Sequence, residues 1–526
     1  MARSPPRPSL RGIVIELRTG DATDASAPMD RVPLRHLLLR PRTLVVVAVG
    51  AAIRSWLLLS PVSVFNADEA VTGLMARQIA GGSPRLIMAG AAYTAPVESW
   101  LYAPFYALAG PHILGLKVLS IVLWGVAAVL VVGAARRVVG DRAALLAGAA
   151  LWIAPGALAD LSVRAYVGYA SGLCVLVALI WSALASAQEH EVGDGTPTVV
   201  RSALTGGLAG LVFYVHPMFV SVALPVAASL CVLHRRRLRE WWLPAVGAAV
   251  AANVPFLLWN VRNDWASLHP IDPADPGTPS SRFEHFFSGL IPRMVGMRTD
   301  SGRWVVGTAI GVAVTVTAAA VTVAGVVVLV RRTRAGWPVA AALVLAWPIM
   351  SSFGAMSFVG DGRYGVLTLP FAIIAGVAAL EHWVLDRAIV PTRLVPVAAA
   401  VVWLAVVVVP FERANAGTDP IRPNAPLATL MRRIEESGVA QVAGSYWVMQ
   451  QVDYLSEGRF AGPMMPGYPE RFPESQRMHP GTPADRLGFV FVSSDEAVDY
   501  LLLDPSLYRR EQYGDYVLYL PPGATS

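Results

Sequence analysis

The stretch Phe65-Asn66-Ala67-Asp68-Glu69-Ala70 lies directly after the first membrane-length apolar run of the chain and sets two acids side by side at its end. A run of about 17 to 25 apolar residues is long enough to cross a bilayer as a helix, and many further runs follow. Paired carboxylates in this position point to chemistry at a membrane surface.

The rest of the chain agrees with that start. Its 526 residues are 55% hydrophobic and only 15% charged, with a mean hydropathy of +0.52. This is more apolar surface than a water-soluble core can hide, so the chain reads as a mainly α, polytopic membrane protein. The net charge of +6 does not make it a nucleic-acid binder, because the basic residues form short clusters between apolar runs rather than one patch. All but one of the 42 Lys and Arg residues are arginine, Lys117 being the single lysine, a bias that fits a high-GC bacterial genome. Cys174 and Cys231 lie within apolar runs without metal-ligand spacing, which argues against a disulfide framework or a zinc site.

Apolar runs predict about eleven transmembrane helices, at roughly 43–61, 113–135, 143–159, 166–187, 203–215, 217–233, 241–260, 304–330, 337–353, 365–385 and 394–410. Arginine clusters at 136/137/142, 201, 235–239, 331–334 and 387/393 fall on one side, which is cytoplasmic by the positive-inside bias. The expected organisation is a disordered cytoplasmic tail over 1–42 with an uncleaved anchor, a transmembrane domain over 43–411 and an extracytoplasmic domain over 412–526. The bacterial inner membrane is the expected location. Two long external loops interrupt the transmembrane part, 62–112 and 261–303, and parity makes 97–110 interfacial or re-entrant. In the last 115 or so residues, Leu427–Glu436 reads as an amphipathic helix. Runs at 442–446, 488–492 and 516–520 read as strands, giving a small α/β domain.

Within the first loop, Val71, Leu74, Met75 and Ile79 recur at helical spacing after Asp68, as in an interfacial helix. Asn66 followed three residues later by Glu69 imitates a capping box. Capping employs Asn66 and Glu69 but leaves Asp68 without a structural duty. For Glu69, structure and chemistry stand level; for Asp68, chemistry is favoured over N-cap duty.

The run Asn66-Ala-Asp68-Glu69-Ala-Val-Thr-Gly73-Leu-Met-Ala-Arg77, continuing through Tyr93, Glu98 and Phe105–Gly110, resembles the first external loop of bacterial GT-C glycosyltransferases. The similar branch holds the protein O-mannosyltransferase-like and lipid A aminoarabinose transferase-like enzymes. Further matching segments are Gly207–Pro225 with His216-Pro217, Pro255–Trp265 and Gly362-Arg363-Tyr364. Tyr446–Arg459 resembles part of the outer domain of some members.

The resemblance implies inverting transfer of a sugar, hexose or pentose, from a polyprenyl-phosphate carrier to an acceptor hydroxyl on the outer face. The acceptor stays open among polysaccharide, lipid and protein. Such chemistry needs one carboxylate as general base, with Asp68 and then Glu69 as candidates, and no carboxylate nucleophile. The departing lipid phosphate gains negative charge, which arginine forks receive well. Arg363 leads here, because a basic residue in an outer loop runs against the positive-inside bias, with Tyr364 beside it and Arg262 and Arg293 following. Snorkelling beside Asp361 is the plain alternative for Arg363, and a solvated loop for the other two.

Glu98 among Tyr93, Trp100 and Tyr102 suits holding sugar hydroxyls under an aromatic ring, and a solvated acid in an interfacial aromatic belt fits the same letters. Asn260 is a further candidate for sugar hydroxyls. His216, at a helix break, reads first as a structural histidine with phosphate or acceptor contact as its functional alternative. Arg54 and Arg164 are charges at or near membrane depth. No cofactor or metal is expected, since a monophosphate lipid donor can be handled by arginines alone and the acids do not cluster. A transporter or lipid flippase is the rival class. It predicts ionisable residues at mid-membrane rather than at helix ends.

Overall fold

The computed structural model describes residues 33–154, 156–192, 198–268, 277–299, 301–352, 362–385, 423–467 and 471–525. In chain order the helices are α1 (Leu34–Leu38), α2 (Pro41–Leu58), α3 (Ala67–Ala80), α4 (Val97–Ala109), α5 (Ile113–Ala135), α6 (Asp141–Trp152), α7 (Ala157–Leu161) and α8 (Ala170–Val192). They continue as α9 (Val199–Val215), α10 (Val220–Leu233), α11 (Leu238–Ala252), α12 (Val254–Arg262), α13 (Pro279–His285), α14 (Ile291–Met294), α15 (Thr308–Arg332), α16 (Gly336–Ser352) and α17 (Leu369–Leu380).

Among the described residues α2, α5, α8 and α15 are long and apolar enough to cross a membrane. A fifth span arises if Pro217–Leu233 and Arg235–Ala252, bent by 82°, count together, and Val199–Val215, Gly336–Ser352 and Leu369–Val384 are shorter apolar helices. The expected span at 394–410 lies outside the described residues, as does most of the N-terminal tail.

Two expected spans are divided. The run at 143–159 holds α6 and the separate one-turn α7. The run at 241–260 breaks at Asn253, whose side chain turns back to donate to the carbonyls of Gly210 and Ala249, each at 2.9 Å. Hydropathy registers apolar length, whereas a polar side chain satisfying backbone carbonyls can end a helix inside it. The polar 261–303 stretch is also not all loop. Phe286 stacks on Trp347 with ring centroids 3.8 Å apart, and Leu290 is fully buried.

Among the described residues the two largest packed cores organise the molecule. One joins the long helices through Trp124, Leu176, Val222, Val339 and Phe371. The other joins α3 and α4 to the C-terminal domain through Val71, Leu74, Tyr102, Val448, Val452 and Tyr454.

The C-terminal domain carries a five-stranded mixed sheet in the order β2-β1-β3-β5-β4, from β1 (Gln441–Gly444), β2 (Ala461–Met464), β3 (Leu487–Val492), β4 (Arg509–Tyr513) and β5 (Tyr516–Leu520). β1 pairs parallel with β2 and β3, and β5 pairs antiparallel with β3 and β4. Helices Ala425–Glu436 and Tyr446–Leu455 complete it. The expected helix and three strands are present. The expected first strand ends early, because Ser445-Tyr446 opens the second helix.

Candidate active site

The two adjacent acids take different environments because of the way α3 begins. Asn66 is the N-cap: its side chain accepts from Glu69 N–H at 3.1 Å, and Asn66 N–H donates to Glu69 Oε2 at 3.3 Å. Glu69 is thereby turned inward, where Lys117 of α5 donates to both its oxygens at 2.7 and 3.0 Å and Ala165 N–H donates at 3.0 Å. The pair is sealed, with side-chain exposures of 2% for Lys117 and 0% for Glu69. Glu69 is thus engaged in a capping box and a buried ion pair, which takes up its acceptor sites. Asp68, one residue earlier and about 100° around the helix, remains half-buried. The Tyr446 hydroxyl of the C-terminal domain donates to its Oδ1 at 3.5 Å.

From Asp68 a row of aromatic and charged groups runs across the site. Tyr166 accepts from Asn66 Nδ2 at 2.7 Å and from Arg164 Nη1 at 3.3 Å. Burial pushes its phenol up to about 12, with the negative charges of Glu69 and Asp68 acting the same way and Arg164 opposing them. Tyr166 meets Tyr169 with ring centroids 6.2 Å apart, and Tyr169 meets His216 at 6.0 Å. Exposed Tyr93 stands edge-on to the same imidazole at 5.6 Å. His216 lies between α9 and α10, where burial and then the nearby charge of Arg363 bring its pKa down to about 4. Arg363 is half-buried, its guanidinium 5.5 Å from the ring of buried Tyr364.

Arg293 packs its aliphatic stem against this end of the row, while its Nε donates to Thr299 O at 3.2 Å. A Cβ added to Gly362 would sit 2.2 Å from Ala157 Cβ and 3.3 Å from Arg293 Cβ, so the segment bearing Arg363 presses directly on α7 and on Arg293 of α14. Asp160 of α7 pairs with Arg164 at 3.2 Å. Packed contacts thus link Tyr93, His216, Arg363 and Tyr364, with Asp68 at the far, Tyr166 end of the row and Arg293 meeting it through its aliphatic stem.

Glu98, Asn260 and Arg262 stand apart from the row. Glu98 is buried and accepts from Gly168 N–H at 2.8 Å, Ser171 N–H at 3.1 Å and Ser171 Oγ at 2.7 Å. It holds the first turn of α8 instead of facing an open aromatic surface. Burial is the main influence on its carboxyl and pushes its pKa up, against the pull of those donors. Asn260 is fully buried, donating to Phe256 O at 3.0 Å and accepting from Ser267 N–H at 3.2 Å. Arg262 is exposed and, with Trp259 and residues 84–90, lines a cavity of about 370 Å³. Arg54, inside α2, donates to Gly50 O and Trp152 O at 3.1 and 2.7 Å and stacks on the Trp152 ring.

Sequence reasoning gave no site role to Tyr166, Tyr169, Tyr446 or Arg471. Arg471 holds its guanidinium 5.3 Å from the Tyr446 ring and donates to Ala89 O at 3.2 Å. Tyr446 is 378 residues from Asp68, and no local pattern encodes such a contact.

Solved structures share this architecture over nearly the whole chain. ArnT from Cupriavidus metallidurans in the apo state aligns with a TM-score of 0.60 at 13% identity, covering 91% of this chain and 97% of that one. ArnT bound to undecaprenyl phosphate gives 0.58 at 15% identity over the same shares. The archaeal oligosaccharyltransferase AglB from Archaeoglobus fulgidus, in complex with an inhibitory peptide and a dolichol-phosphate, gives 0.50 at 12% identity, covering 88% and 71%. No protein-family model and no curated protein matches the chain. The chain shares the fold of these ArnT and AglB structures, and its long apolar helices make it an integral membrane protein.

Proposed function

We propose that this protein is a membrane glycosyltransferase that moves a sugar from a polyprenyl-phosphate carrier to an acceptor hydroxyl on the outer face of the bacterial inner membrane. The observation that carries the reading is the split between neighbouring acids. Glu69 is consumed by Lys117 and the cap of α3, while Asp68 keeps a half-buried carboxylate at the end of a row leading to Arg363. The neighbouring fold-mates support the lipid half of the reading, one ArnT structure holding undecaprenyl phosphate and the AglB structure dolichol-phosphate.

In this reading Asp68 accepts the proton of the acceptor hydroxyl as its oxygen bonds to the anomeric carbon. The bond from that carbon to the phosphate oxygen breaks, and its electron pair leaves on the lipid phosphate. Attack from the opposite face inverts the anomeric centre in one step, so a single base suffices. Arg363, with Arg293 beside it, receives the charge that develops on phosphate. His216 stays neutral beside Arg363 and, with Tyr93 and Tyr169, offers ring faces to the sugar. Tyr364 supports Arg363, Arg262 stays at its separate cavity, and Glu69, Glu98 and Asn260 hold the helix ends that shape the region. The positive-inside bias of the arginine clusters supports a cytoplasmic N-terminus, with residues 412–526 outside.

The direct experiment is to incubate the purified protein with a panel of polyprenyl-phosphate hexoses and pentoses and a membrane extract as acceptor source, reading donor consumption by mass spectrometry. Consumption of at least one donor, with release of polyprenyl phosphate, is expected. Survival of every donor in the panel would count against the assignment.

A further inference from the structure

The C-terminal domain does more than cover α3. Its helix Tyr446–Leu455 lies along α3 and grips it at both ends. Near the start of α3, Gln451 Nε2 donates to Phe65 O at 3.1 Å. Near its end, Arg77 pairs with fully buried Asp453 at 2.8 Å and also donates to Asp453 O at 3.1 Å. In the middle, the Tyr454 ring fills the space above Gly73, and its hydroxyl accepts from His112 N–H at 2.8 Å. Tyr446, the first residue of this helix, is thereby delivered to Asp68.

Resting on the reading of Asp68 as the base, we propose that Tyr446 is a positioning residue for Asp68, so that the C-terminal domain completes the reaction site. The Tyr446 ring is held on two sides, by the Arg471 guanidinium at 5.3 Å and by Trp447 edge-on at 5.2 Å. Arg471 is itself tied to Ala89 O, which couples the arrangement back to the first loop. A ring so restrained aims its hydroxyl in one direction, toward Asp68 Oδ1 at 3.5 Å. Hydrogen bonds at catalytic carboxylates are often long in an empty site and tighten when substrate arrives.

The consequence is a division of labour between the two carboxylate oxygens. Tyr446 donates to Oδ1 and fixes the rotamer, which leaves Oδ2 for the acceptor hydroxyl. The phenol itself gives up no proton: burial and the charge of Asp68 hold its ionisation well above the usual range, against the opposing pull of Arg471. The transferred proton ends on Asp68, and Tyr446 only orients the group that takes it.

Tyr446→Phe tests this in the full-length protein with its polyprenyl-phosphate sugar donor. The Arg471 stacking and the Trp447 contact survive the change, and only the hydroxyl's interactions with Asp68 and Arg471 are lost, so the melting temperature should stay close to the parent's. Loss of a hydrogen bond to a charged group corresponds to about a 10-fold fall in kcat, with donor KM unchanged. In an Asp68→Asn background, followed over hours, the same change should lower the residual rate less than about 2-fold, because Tyr446 acts through Asp68. Parent-level kcat in Tyr446→Phe, or an equal loss in both backgrounds, would overturn the proposal. A parent protein that consumes no donor would instead remove the glycosyltransferase reading on which it rests.

Discussion

Lys117 places its ammonium 2.7 Å from Glu69 Oε1 in a pair sealed from solvent, and it is the only lysine in a chain that otherwise uses arginine. The compact ammonium suits a site at the start of α5 where a planar guanidinium would need more room and more acceptors. The pair also helps fix which way α3 turns, since it ties the inward-facing Glu69 to α5.

Lys117→Met should therefore cost about 3 to 5 kcal/mol of stability, the penalty for leaving a buried charge without its partner. Adding Glu69→Gln should recover part of the loss by removing the stranded charge. Thermal unfolding of the detergent-solubilised proteins checks both. A single Lys117→Met variant as stable as the parent would show that the pair does not hold α3.

Gly73→Ala should loosen the C-terminal domain from α3. An added Cβ would lie 2.3 Å from the Tyr454 ring, and that ring is fully buried among Phe65 and Tyr106, so it has nowhere to move. Overpacking of this kind costs about 1 to 3 kcal/mol. Faster proteolytic cleavage between the transmembrane and C-terminal parts, at unchanged helix content by circular dichroism, is the expected readout.

How far the sequence could be read follows from how local each signal is. The capping box at Asn66 and Glu69 is encoded within four residues, and both of its hydrogen bonds form. The 113–135 run stands as one helix with the same bounds because Lys117 and Ser120 are the only breaks in its apolar sequence and both are buried against a partner. β4, Arg509–Tyr513, escaped notice because an edge strand need not alternate polar with apolar residues, and its sequence is nearly all polar. β2 escaped because Ala-Gly-Pro-Met has little strand propensity. At the site, Asp68 was distinguishable from Glu69 by asking which acid the cap would consume. The row from Tyr166 to His216 and the contact with Tyr446 depend on segments brought together only by packing.

His216 should make no mark on the pH dependence near neutrality. Its pKa of about 4 lies below the ordinary value near 6.5. The folded protein therefore keeps it neutral throughout pH 5 to 8, and it gains its proton only as pH falls through about 4. His216→Asn should then give a pH–rate profile parallel to the parent's over pH 5 to 8, whatever the change in absolute rate. Loss of a limb in that interval would show that the imidazole titrates there.

Arg363 is expected to act as a fork. Arg363→Lys keeps the charge but cannot offer two parallel donors to a phosphate, and about a 10-fold weaker apparent affinity for the polyprenyl-phosphate donor should follow. Arg363→Gln should weaken it further. Equal donor KM in the parent and both variants would place the phosphate elsewhere.

The most direct measurement compares sugar transfer by the parent and Asp68→Asn proteins of equal melting temperature, each with the donor that the parent consumes. A carboxamide cannot take the acceptor's proton, so kcat should fall by about 10² to 10⁴ with donor binding retained. Transfer by the folded Asp68→Asn protein at the parent's rate would contradict the account.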